Sequence, residues 1–218
     1  ELFRRGVTLK VPLCMALLAR LYVHRYSDNF VKMEYALYLF HSVERRFKYV
    51  KLYLGVLYML GMGCPHNVNL GMQYLEEYQH EDPVHNPMEI ADIFQRLERK
   101  RSNHVIFWWS QALRKKNPYA AMNLGDHYRI MGDFRKRKRD QVGSHWAYMK
   151  SQQMYKKALG YGLRGEAALK LAQLQHNGIS GVIRNTSLIV KYIDIALDEG
   201  VEIARSLWKY MPSLERRT

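Results

Sequence analysis

Leu21-Tyr22 reappears as Leu57-Tyr58, and Tyr38-Leu39 reappears as Tyr74-Leu75, both at an offset of about 36 residues. Further steps of similar size bring Ile90-Ala91 with Phe94 onto Leu54-Gly55 and Tyr58. Leu124-Gly125 with Tyr128 follow, and then Leu171-Ala172 with Gln175, where Gly178 takes the place of Gly61. Self-similarity at a period of roughly 20–50 residues is the mark of stacked supersecondary units, because one such unit cannot bury its apolar face alone. No other feature of the chain restricts its fold as strongly.

Within each unit the apolar residues recur at i, i+3, i+4 and i+7, the spacing of an amphipathic helix. Each unit therefore reads as helix A, a turn, helix B and a second turn. Helix B carries the aromatic marks Tyr38, Tyr74, Trp108-Trp109, Tyr155 and Tyr192. A Gly inside a helix costs roughly 1 kcal/mol relative to Ala, so Gly55 needs a reason. Gly55, Gly125 and Ala172 share one register position, where a small side chain lets helix A approach helix B or a neighbouring unit. Gly61 and Gly63 fall in the following turn, where a positive φ or a tight approach is required. Gly162 and Gly200 read as the residues that close helices in a left-handed conformation. The expected fold is an all-α, right-handed α-solenoid of about five helix-turn-helix repeats in a single domain, 1–218. Its units span 10–45, 46–82, 83–117, 118–163 and 164–200, with a capping helix over 201–212. A hydrophobic content of 48% supports a substantial core. A bundle with coincidental internal similarity fits less well, since the match recurs in both helices of several units.

The motifs "YLGVLYMLGMG" (Tyr53 to Gly63) and "AMNLGDHYRIMG" (Ala121 to Gly132), with "MYKKALGYG" (Met154 to Gly162) and "YIDIALDEG" (Tyr192 to Gly200), resemble the Sel-one-like (SLR) repeat, a relative of the tetratricopeptide repeat. The resemblance covers most of the chain, with the first and third units degenerate. It implies a non-catalytic protein-binding scaffold. Its sharpest implication is an immunity protein that sterically blocks a bacterial toxin, such as a phospholipase effector of type VI secretion. An adaptor in secretion, envelope signalling or protein quality control is implied equally. Some secreted proteins similar to this family staple each unit with a cysteine pair, whereas this chain has only Cys14 and Cys64. In repeat register Cys64 falls on Asp28, about 14 residues or roughly 21 Å of helix from Cys14. A disulfide needs a Cα separation of about 5–6 Å, so two free thiols are expected.

The fourth unit carries an insertion of about eleven residues near 134–144, with five consecutive bases, Arg135, Lys136, Arg137, Lys138 and Arg139, expected in an exposed loop or helix extension. The whole chain is basic, with 34 Lys and Arg against 20 Asp and Glu and a net charge of +14. Such a charge attracts acidic protein, anionic lipid or nucleic acid. No nucleic-acid-binding module accompanies the basic run, which favours an acidic protein partner, such as a toxin, over nucleic acid. Other bases are spread through Arg4-Arg5, Arg45-Arg46, Arg99 to Arg101 and Arg216-Arg217.

No catalytic constellation emerges, and no cofactor or metal is expected. His80, Glu81, Asp82 and His85 surround Pro83 in a turn and lack the helical spacing of a zinc-binding His-Glu-x-x-His motif. Cys64 and His66 have no identifiable complement of base and oxyanion donors. Asn185-Thr186-Ser187 is a glycosylation sequon that arises readily by chance. Partner contacts are expected from helix A positions that the repeat leaves free on the concave face: Arg20, His24, Val56, Met59, Asp92, Arg96, Asp126, Arg129, Gln173 and His176. No stretch reaches the roughly 18 apolar residues of a membrane span. The chain opens on Glu1, so an export signal removed beforehand would place it in the periplasm or otherwise outside the cytoplasm, with the cytoplasm as the alternative.

Overall fold

The computed structural model describes residues 2–98, 102–177 and 185–209, and every regular element among them is an α-helix. In chain order these are α1 (Leu2–Thr8), α2 (Pro12–Arg25), α3 (Phe30–Val43), α4 (Tyr49–Leu60), α5 (Val68–Glu81) and α6 (Asn86–Glu98). They continue as α7 (Asn103–Arg114), α8 (Pro118–Arg137), α9 (Gln141–Gly160), α10 (Arg164–His176), α11 (Thr186–Asp198) and α12 (Ile203–Lys209). The all-α class expected from the periodicity is the class that forms. The short α1 lies outside the repeat pattern and was not anticipated. Gly178, Arg99 to Arg101 and Arg216-Arg217 lie outside the described residues.

Helix starts are set by side chains that satisfy the otherwise unpaired first-turn N–H groups. Asn29, Asn67, Asn117 and Asn185 each accept from the N–H three residues on, at 3.0–3.1 Å, and so open α3, α5, α8 and α11. The sequon asparagine is thus a helix cap. Pro12 and Pro118 occupy first-turn positions, where a missing N–H costs nothing. At the other end of α4, Gly61 adopts φ 64, and Met62 N–H reaches back to Leu57 O at 3.0 Å. Gly63 is also left-handed, at φ 75. A β-carbon there would sit 2.3 Å from the Glu34 backbone nitrogen on α3, so the turn after α4 is pressed against its neighbour.

By contact the chain divides into two compact units, Glu1–Trp108 and Trp109–Thr218, and the division falls within α7. In the first unit α4 is the enclosed element, packing on α3, α5 and α6. Val50, Leu52, Tyr53, Leu54, Gly55, Val56, Leu57 and Met59 are all buried, as a helix apolar on nearly every side must be. Gly55 and Gly71 mark where α4 and α5 cross. A β-carbon on Gly55 would lie 2.6 Å from Leu75 and 3.0 Å from the Gly71 carbonyl; one on Gly71 would lie 2.5 Å from Met59 and 2.8 Å from the Gly55 carbonyl. The backbones themselves are in contact, which explains the mid-helix glycine.

In the second unit successive helices pack in order, α8 on α9, α9 on α10, α10 on α11 and α11 on α12. They share a core that includes Tyr148, Tyr155, Leu171, Ile189, Ile193 and Ala204. Here α8 and α9 have 20 residues each, against 12–14 in the remaining helices from α2 to α11. The excess is built by repeating one arrangement. Gly125 faces the Tyr155 ring, where a β-carbon would lie 2.5 Å away, and the Tyr155 hydroxyl donates to Asp126 at 2.7 Å. Gly132 faces the Tyr148 ring in the same way, at 2.7 Å, and the Tyr148 hydroxyl donates to Asp133 at 2.7 Å. On both helices the two Gly-Asp/Tyr rungs are seven residues apart, about 10 Å of helix. Gly162 and Gly200, with φ 110 and 77, terminate α9 and α11.

The insertion is therefore helical rather than a loop. Arg135, Lys136 and Arg137 form the last turn of α8, where cations meet the negative end of the helix dipole. Lys138 and Arg139 make the connection, with Arg139 at φ 60.

Candidate partner-binding recess

The expected partner face draws on helices α2, α4 and α6 in the first unit. Along α4, Tyr49, Leu52 and Tyr53 form one stripe; along α6, Glu89, Asp92, Ile93 and Arg96 form another. With Arg20 from α2 they enclose an open recess of about 310 Å³. Tyr53 is its fixed wall. Its ring stacks on Phe40 with centroids 5.2 Å apart, and its hydroxyl lies 3.1 Å from His24 Nε2, with the two rings perpendicular. Glu89 is already engaged, because the Tyr78 hydroxyl donates to its carboxylate.

The charged groups lining the recess are two guanidiniums, Arg20 and Arg96, and two carboxylates, Glu89 and Asp92. Neither Arg20 nor Arg96 has an ion-pair partner among the described residues. Burial, followed by the charges of Arg20 and Arg96, lowers the pKa of His24 and so favours its neutral form. Burial raises the pKa of Asp92, Arg96 opposes the shift, and Glu89 adds to it. Tyr49 and Tyr53 are raised by burial and pulled back by Arg20, and in Tyr53 also by Arg96. The result is a cavity with aromatic and aliphatic walls, lined by two guanidiniums without a close ion pair and by two carboxylates, Glu89 held by Tyr78 and Asp92 within the field of Arg96.

The ten positions expected to contact a partner are divided between the two units. Arg20, Asp92 and Arg96 line the recess, and His24 adjoins it through Tyr53. Val56 and Met59 are corrections: they are 0% and 5% exposed. Met59 points at Gly71 on α5, and Val56 lies on a helix enclosed by its neighbours, so the repeat register does not leave them free. Asp126 and Arg129 lie on α8 in the second unit. Asp126 receives Tyr155 and Lys170, the latter at 3.3 Å, while Arg129 pairs with Asp133 at 3.0 Å. Gln173 and His176 are half-buried on α10.

Sequence reasoning missed Tyr49, Leu52, Tyr53, Glu89 and Ile93. Their i, i+3, i+4 spacing was visible, but the same spacing describes any buried face. It also missed a polar cluster in which His41 bridges Glu44 and the Tyr58 hydroxyl, both at 2.9 Å, beneath the parallel rings of Tyr58 and Tyr74. Of the His80–His85 segment, His80 and Glu81 end α5 and only Asp82 to His85 forms a turn, in which Asp82 accepts from the Val84 and His85 N–H groups at 3.0 Å and pairs with the His85 ring. Cys14 and Cys64 are free thiols. No described helix is long and apolar enough to cross a membrane. No group of three or more metal-ligating side chains occurs among the described residues.

No protein-family model and no curated protein matches the sequence. Among solved structures, the chain is similar to a Sel1 repeat protein from Oxalobacter formigenes at 14% identity and a TM-score of 0.49, over 98% of this chain and 86% of that one. It is also similar to a protective antigen present in uropathogenic Escherichia coli strains, at 14% identity and a TM-score of 0.38 over 97% of this chain, which spans about half, 51%, of that protein. Both neighbours carry the repeat fold that the motifs at Tyr53–Gly63 and Ala121–Gly132 resemble.

Proposed function

We propose that this chain is a non-catalytic protein-binding scaffold and that the recess between α2, α4 and α6 receives an acidic side chain of its partner. The observation that carries the proposal is the pair of guanidiniums, Arg20 and Arg96, on a cavity walled by Tyr49, Tyr53, Leu52 and Ile93, whose own carboxylates are Glu89, held by Tyr78, and Asp92, whose charged form burial disfavours. A carboxylate brought between them gains charge-assisted hydrogen bonds, while its neighbours meet aromatic and aliphatic surface. A net charge of +14 steers an acidic protein towards such a site.

A pair of synthetic peptides, one with a Glu flanked by apolar residues and one with Gln in its place, tests this by fluorescence anisotropy. The Glu peptide should bind at least about tenfold more tightly, as expected for a charge-assisted pair. Arg20→Glu with Arg96→Glu, both at exposed positions, should abolish the difference. Equal binding of the two peptides would overturn the reading. The specific form of the proposal is steric blockade of an acidic toxin, such as a secreted phospholipase. Its test is co-purification with, and inhibition of, a toxin encoded beside the chain.

A further inference from the structure

The two-rung hairpin α8–α9 holds its connecting turn about 20 Å beyond the first Gly-Asp/Tyr rung, and that turn has an unusual surface. Phe134 and Val142, on either side of the connection, are 56% and 83% exposed. Trp146, one turn further along α9, is also exposed. Between them run the five bases Arg135 to Arg139. The two carboxylates nearby are already engaged: Asp133 by Tyr148 and Arg129, and Asp140 by the Gly143 N–H and Arg135. Lys136 and Arg139 open onto a cleft of about 400 Å³ whose other walls are Gln141 and Ser144. Cations and aromatic rings adjoin directly: Lys138 Nζ lies 5.8 Å from the Phe134 ring centre, and the Arg135 guanidinium 5.9 Å from that of Trp146.

We propose that this tip docks on an anionic phospholipid membrane. Lys136 and Arg139, with Gln141, hold a lipid phosphate in the cleft, and Phe134 and Val142 enter the boundary between headgroups and acyl chains. Charge selects an anionic surface. The exposed aliphatic and aromatic side chains select a lipid surface over the alternatives, since neither a nucleic-acid backbone nor a solvated acidic peptide gives a protruding Val142 an apolar medium to enter. Tip insertion suits a rigid helical hairpin, because burying a few apolar side chains requires no rearrangement of the rungs beneath them.

The test is co-sedimentation of the full chain with large vesicles of phosphatidylcholine, alone or with about one-third phosphatidylserine. Partitioning onto the anionic vesicles should exceed that onto neutral ones at least about tenfold, and Lys136→Gln with Arg139→Gln should remove about tenfold or more, given about fivefold per basic residue at the surface. Phe134→Ser with Val142→Ser leaves the charge unchanged and should still weaken binding several-fold. All four side chains are exposed, so circular dichroism melts of the variants should match the parent. Equal or no partitioning onto the two vesicle types overturns the proposal. So does indifference to the apolar pair, which would reduce the effect to charge adhesion. Displacement by inorganic phosphate would mark a free-anion site, and displacement by polyglutamate or RNA at equal charge concentration would mark a polyanion site; either result also overturns it.

Discussion

The hairpins α4–α5 and α8–α9 place glycine at the same register position and use it differently. At Gly55 the space left by the absent side chain is filled by Leu75 and by the carbonyl of Gly71, so two backbones touch. At Gly125 it is filled by the Tyr155 ring, whose hydroxyl is bonded to the next residue, Asp126. The first solution brings two helices together at one point. The second stores its contact in a side chain and can be repeated along the helix, as Gly132, Asp133 and Tyr148 show. A small residue in a repeat motif therefore specifies close approach without specifying what approaches.

Cavity formation should separate the two hairpins most clearly. Tyr155→Ala empties a fully buried site and should cost about 3–5 kcal/mol in chemical denaturation. Next come the glycines themselves. Gly55→Ala and Gly125→Ala should each cost about 1–3 kcal/mol through overpacking, but they should differ in rescue. Adding Tyr155→Leu to Gly125→Ala should give a favourable coupling of about 1 kcal/mol. Adding Leu75→Ala to Gly55→Ala should recover little, since the Gly71 carbonyl remains in place; full recovery there would break the distinction.

The rungs also predict an alkaline signature. Burial, the hydrogen bond to Asp133 and that carboxylate's charge push the Tyr148 pKa up to about 12. An unfolded tyrosine ionises near 10. A raised folded pKa means that the stabilisation is complete below about pH 10 and is lost as pH rises through about 12. Denaturation midpoints should fall across that window, and Tyr148→Phe should flatten the fall while costing about 1 kcal/mol at neutral pH. The smallest effect is expected at the α5 cap, where Asn67→Ala should cost about 0.5–1 kcal/mol, without bearing on either glycine contact.

How much of this could be read in advance follows from what periodicity encodes. The helices, the closing glycines at 61, 162 and 200 and the need for a small residue at 55 and 125 were legible, because each is a local demand of backbone geometry. The burial of Val56 and Met59 was not. Register gives a residue's direction on its helix, whereas exposure depends on which other helices surround it, and α4 is enclosed. The recess was half legible: Arg20, Asp92 and Arg96 stand out as polar residues on apolar helices, but Tyr49 and Tyr53 look like any core aromatic. The second rung did leave a trace, Gly-Asp at 125–126 and again at 132–133. A seven-residue echo inside a unit is easily lost beneath a period of about 36.

Because the rung is a self-contained module of seven residues on each strand of the hairpin, the reach of the basic turn is set in fixed increments. Excising Asp126–Gly132 together with Tyr148–Met154 would juxtapose Gly125 with Asp133 and leave Tyr155 opposite them, a shorter arm on an unaltered base. The α8–α9 hairpin is in this sense a ruler. Its graduation is about 10 Å, and lineages could lengthen or shorten it by duplication without redesigning the foundation on which it stands.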